Sequence, residues 1–154
     1  MGTRGHMIIV INNKSYILYN HWDSGSIFKY AMKFLKFLLN KYTADEIFTM
    51  VSEIEFIDAA SVKFRGYDEE ECGSDANTFG YVVDDKVRKW NHHHLSLFKI
   101  FRDKKAYYDM LFDGVAYPNT DLMIEYAFSI NFDNKTVIYS EMEPVVLTFE
   151  SIKL

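Results

Sequence analysis

The chain has a single cysteine, Cys72, so it can form no intramolecular disulfide and no cysteine-based zinc cluster. A reducing compartment fits that usage. The first 25 residues lack a basic segment followed by an apolar core and a small-residue cleavage site. No window approaches the roughly 18 continuous apolar residues of a membrane span. The expected setting is therefore intracellular and cytoplasmic, with no membrane partner. Glycine-rich phosphate loops are absent, which argues against a nucleotide enzyme, and no HExxH pair marks a metal site. No cofactor or metal is expected. An excess of positive charge is also lacking: Asp and Glu number 22 against 17 Lys and Arg, and the formal net charge of −5 argues against a broad electrostatic footprint for DNA or RNA. Nucleic acid remains open only locally, and the basic stretch with Lys86, Arg88, Lys89 and Trp90 reads more simply as a solvated edge.

What is present is the composition of a packed domain. About half the residues are apolar and 17% are aromatic, too many for a disordered chain. At 154 residues, one domain spanning 1–154 buries roughly 68–70% of its unfolded surface without a covalent staple.

Residues 6–11 (HMIIVI) and 15–20 (SYILYN) are rich in β-branched and aromatic side chains and flank Asn12-Asn13-Lys14. That pattern predicts a β-hairpin. A two-residue turn at Asn12-Asn13 pairs Ile11 with Lys14, Ile9 with Tyr16 and Met7 with Leu18. Continued outward, the same register sets Arg4 opposite His21 at the open end, with Asp23 two residues on. Asn13 and Asn134 each begin an N-x-[ST] pattern and are read as turn residues.

Ile27, Phe28, Ala31, Phe34, Leu35, Leu38 and Leu39 then recur at helical spacing, predicting a first helix over residues 26–41 with Ser26 as its N-cap. Thr43-Ala44-Asp45-Glu46 is a capping box opening a second, shorter helix. Residues 65–80 read as an acidic loop. Asp68, Glu69, Glu70 and Glu71 lack the alternating spacing and central glycine of a calcium loop, so they are read as a solvated charge run. Cys72 among these acids is expected to be an inert thiol. His92, His93 and His94 are consecutive, and neighbours neither share a strand face nor a helix face, so a polar loop is preferred to a metal site.

Leu97, Phe98, Phe101, Tyr108, Leu111 and Phe112 fit a third helical region, continuous or broken near Asp103, ending at Gly114. The C-terminal third turns to strand: residues 122–132 and 135–140 flank Asp133-Asn134, and residues 145–150 follow Pro144. The order predicts an α+β domain, a mainly antiparallel sheet built from the N-terminal hairpin and C-terminal strands with about three helices packed on it. Joining the first hairpin to the last strands in one sheet is the simplest closure.

MGTRG at the start, YNHWDS at residues 19–24 and IEYAFSINFDNKTVIY at 124–139 resemble a family of uncharacterised proteins of fungi and large DNA viruses. Co-occurrence of the first two motifs supports reading the opening GHM as native sequence rather than a cloning scar. The resemblance implies a protein carried or made by a large virus, with packaging in a virion as one alternative to a cytoplasmic setting, and it implies no activity. Where that family continues D-S-Y-P-x-G-L-G, this chain has DSGSIFKY.

Arg4, Tyr19, His21, Trp22 and Asp23 form the candidate site. Trp, Tyr and Arg are favoured at interface hot spots, so one reading is a rim that docks a protein partner or a second copy in a homodimer. A plainer reading is an Arg4–Asp23 ion pair pinning the N-terminus with His21 beside it. The enzymatic alternative is a small hydrolase with His21 as general base, Asp23 orienting it and Arg4 holding an anion. No Ser or Cys motif supplies a nucleophile. Gly2 has none, Thr3 would need a second cleavage to become N-terminal, and His6 occupies the position where myristoylation requires Ser or Thr. The expectation is thus a non-catalytic interaction module.

Overall fold

The computed structural model describes residues 4–20, 24–59, 97–117, 126–140 and 143–154. Strands β1 (Gly5–Ile11) and β2 (Lys14–Asn20) form the first hairpin in the predicted register, Ile11↔Lys14, Ile9↔Tyr16 and Met7↔Leu18. Asn12 and Asn13 both take positive φ, 53° and 57°, the mirror-type turn that matches strand twist and that asparagine tolerates. Helix α1 (Ser24–Lys41) starts two residues before the expected Ser26 cap, which therefore sits inside the first turn. Helix α2 (Ala44–Ser52) carries the Thr43–Glu46 capping box, with both reciprocal hydrogen bonds made.

Four further strands complete the main sheet: β5 (Met110–Asp113), β6 (Tyr126–Asn131), β7 (Thr136–Ser140) and β8 (Pro144–Thr148). Their order is β5-β2-β1-β6-β7-β8. All pairings are antiparallel except β1 with β6, which run parallel at the centre. The first hairpin and the C-terminal strands thus share one sheet, and the fold is α+β. A second sheet pairs β3 (Glu55–Asp58) with β4 (Lys105–Tyr108) in parallel. Tyr16 of β2 stacks on Phe56 of β3 at 3.9 Å, joining the two sheets.

One predicted helical region is corrected. Helix α3 (Leu97–Asp103) ends at Lys104, whose φ of 57° breaks the helical path. The chain beyond it forms β4 and β5, not a second helical turn. Tyr108, Leu111 and Phe112 are spaced for either structure, and cross-strand partners on β3 and β2 decided between them. The predicted last strand is also shortened: Phe149 begins helix α4 (Phe149–Lys153), opened by a capping box from Thr148 to Ser151. Four helices are thus present among the described residues, against about three expected.

The alternation of the strands separates two faces. Met7, Ile9, Leu18, Phe128, Ile130 and Val137 meet Phe28, Leu35 and Leu38 of α1 in the main core. The opposite face carries His6, Ile8, Val10, Ser15, Ala127, Ser129 and Ser140. Ser15 Oγ donates to Gly114 O and accepts from Ala116 N–H, both at 2.8 Å, laying residues 114–117 over that face. The acidic loop at 65–80, Cys72, the Lys86–Trp90 stretch and His92, His93 and His94 lie outside the described residues.

Candidate functional site

Two of the five predicted site residues, Arg4 and Tyr19, fall among the described residues; His21, Trp22 and Asp23 lie outside them. Gly5↔Asn20 is the outermost described pair of the hairpin, one step short of the predicted Arg4–His21 opposition. Arg4 and Tyr19 do occupy the same open end of the sheet. Arg4 O accepts Tyr126 N–H at 3.1 Å, extending the β1–β6 ladder, and Tyr19 stands across from His6. The Tyr19 and His6 rings meet edge-on with centroids 5.8 Å apart. Burial lowers the His6 pKa, favouring the neutral imidazole.

The residue that sequence reasoning missed is Asp109, in the corner between β4 and β5. Its N–H donates to Ile17 O at 2.8 Å, and its Oδ2 accepts Tyr19 N–H at 2.7 Å, so the side chain continues the ladder where the backbone turns away. The residue as a whole is exposed, while its carboxyl group is partly desolvated. Desolvation pushes its pKa up to about 6, against the lowering effect of the Tyr19 N–H, and the negative charge of Asp58 adds to the rise. The Tyr108 hydroxyl is shifted upward by desolvation and by Asp58 and Tyr16. Asp58 and Tyr108 are direct partners at the end of the small parallel sheet. The signal for this group was the Tyr-Tyr-Asp run at 107–109, hidden by the helical reading of that segment.

On the same face, the register places Tyr19, His6, Ala127 and Ser140 in one row across four strands. Ser140 Oγ is buried without a hydrogen-bond partner among the described residues. No group of three or more His, Cys, Asp or Glu suited to a metal ion occurs among the described residues. A recess of about 230 Å³ lies at the other end of the sheet, lined in part by Asn12, Lys14, Tyr16, Ser52, Ile54 and Phe56, and is smaller than the ~300–1,000 Å³ typical of ligand pockets. No described helix is long and apolar enough to cross a membrane.

The most conspicuous surface feature adjoins Asp109. Among the described residues strand β5 is an edge of the main sheet, and all four of its residues are exposed, including Met110, Leu111 and Phe112. Val115 and Tyr117 extend this apolar surface. Because Asp109 holds Tyr19, the edge runs directly into the open end of the hairpin. Compared with protein-family models, curated proteins and solved structures, the chain matches none.

Proposed function

We propose that this protein is a non-catalytic interaction module that associates with a second copy of itself through the β5 edge. The observation that carries the reading is that β5, an edge strand among the described residues, exposes Met110, Leu111 and Phe112. Natural edges are usually blunted by charge, proline or cover; β5 has no proline, Asp109 and Asp113 stand at its ends, and Asp113 lies opposite Lys14 of β2. A twofold axis through Phe112 sets the two Phe112 rings opposite each other and each Leu111 opposite Asp113 of the partner subunit. An axis through Leu111 would oppose Asp109 and Asp113, a like-charge contact. The first register therefore supports an isologous antiparallel pair.

Sedimentation of the full chain across the micromolar range tests this. The expected result is a concentration-dependent dimer that Phe112→Lys converts to a folded monomer. A wild-type chain that stays monomeric throughout, or a dimer indifferent to both Phe112→Lys and Leu111→Lys, overturns the reading.

A further inference from the structure

Helix α1 carries Lys29, Lys33, Lys36 and Lys41 and no acidic residue, in a chain whose net charge is −5. Its outward face interleaves these cations with rings: Tyr30 is 66% exposed and Phe37 53%. In α3, Phe98 is 51% exposed. Phe34 links them, stacking on Phe37 at 6.2 Å and meeting Phe98 edge-on at 5.5 Å. Each exposed ring has a cation over it. Lys33 Nζ lies 5.7 Å from the Tyr30 centroid, Lys41 Nζ 5.5 Å from Phe37, and the Arg102 guanidinium 5.8 Å from Phe98. Arg102 is also hydrogen-bonded to Asp103 through Nε and Nη2, so the lysines carry the positive field.

We propose that this α1–α3 face binds single-stranded nucleic acid, its rings stacking on bases and its lysines meeting phosphates. Single-strand sites combine these two ingredients, since every base offers a π-face and every linkage a negative charge. An anionic bilayer fits less well, because an interfacial helix needs a broad apolar face, and Ala31, Leu35, Leu38 and Leu39 of α1 are already buried in the core. An acidic peptide would engage the lysines and leave the rings without a stacking partner. The net negative charge rules out only a broad footprint, and this patch is local. It lies on the helical layer and shares no residue with the β5 edge, so the two readings fail separately.

The test is fluorescence anisotropy of the full chain with labelled oligouridine and oligothymidine. Binding is expected to weaken with salt, with a log–log slope of roughly −3 for four lysines. Phe37→Ser and Tyr30→Ser are each expected to lower affinity about fivefold or more, with the thermal midpoint retained. Lys33→Gln combined with Lys41→Gln should flatten the slope by roughly one to two, and reads the same surface if a ring variant fails to fold. A preference between the two oligomers identifies RNA or DNA as the source. No binding at low salt, equal affinity for a duplex, ring variants with unchanged affinity, or capture by phosphatidylserine vesicles but not by oligomers would each overturn the proposal.

Discussion

The two ends of the central sheet are held in opposite ways. At the closed end, two turns lock each other: the Asp133 carboxylate accepts the N–H groups of Asn12 and Asn13, both at 2.8 Å. Asn131 Oδ1 in turn accepts from Asp133 and Asn134 N–H, at 3.0 and 3.1 Å, fixing the second turn. The Asp133 carboxylate makes both of these bonds at an exposed position. At the open end, the Asp109 carboxylate accepts Tyr19 N–H while crowded by neighbours and facing the field of Asp58. The same side-chain chemistry is thus used once on open surface and once where partial desolvation disfavours the charge. The closed end joins two turns through one exposed carboxylate, whereas the open end carries His6 and Asp109, whose protonation burial has shifted.

The largest expected effect breaks both ends together. Phe128 is fully buried between β1, β7 and α1, so Phe128→Ala should cost about 3–5 kcal/mol in denaturant unfolding. A loss below about 1 kcal/mol would mean the common core is not what holds the ends in register. Next comes the closed end alone. Asp133→Ala leaves two turn N–H groups to water and should cost about 1–2 kcal/mol, while Asp133→Asn should recover part of that. Asn12→Val, forcing a β-branched residue to positive φ, should cost a similar ~1–2 kcal/mol.

The open end should behave in the reverse sense. The unfolded Asp109 carboxyl titrates near 3.8 and the folded one at about 6, so folding takes up a proton between those values and stability falls as pH rises through them. Asp109→Asn keeps an acceptor for Tyr19 and removes the charge; thermal melts should show it no less stable than wild type at pH 7 and flatter between pH 4 and 6. A clear destabilisation at pH 7 would place Asp109 with Asp133 and erase the contrast. His6 gives the smallest effect. Its pKa is lowered from 6.5, so stability that is present above 6.5 is lost as pH falls below it, and His6 titration followed by NMR should show the lowered midpoint.

Much of the closed end was legible because its chemistry is local. Asn-Asn between two alternating apolar runs specifies a mirror-type turn, the turn sets the register, and the register placed Met7, Ile9 and Leu18 on one face. At the open end Arg4 and Tyr19 are the predicted residues that fall among the described ones. Asp109 was hidden because Phe101, Tyr108, Leu111 and Phe112 satisfy a helical period as well as a strand reading, and short apolar runs do not distinguish the two. Strand β3, four residues long with a partner at β4, left no periodic signal strong enough to read.

By itself the sequence determined the α+β class, the first hairpin and its register, α1, and the capping box of α2, because each depends on residues within a few positions of one another. Tertiary structure alone decided that β1 lies parallel to β6, that residues 105–113 become strands, that Phe149 turns from β8 into α4, and that the Asp109 carboxylate meets Tyr19 across 90 residues. Strand partners and desolvated charges are properties of what lies across from a residue, and no local pattern encodes the neighbour that the fold brings there.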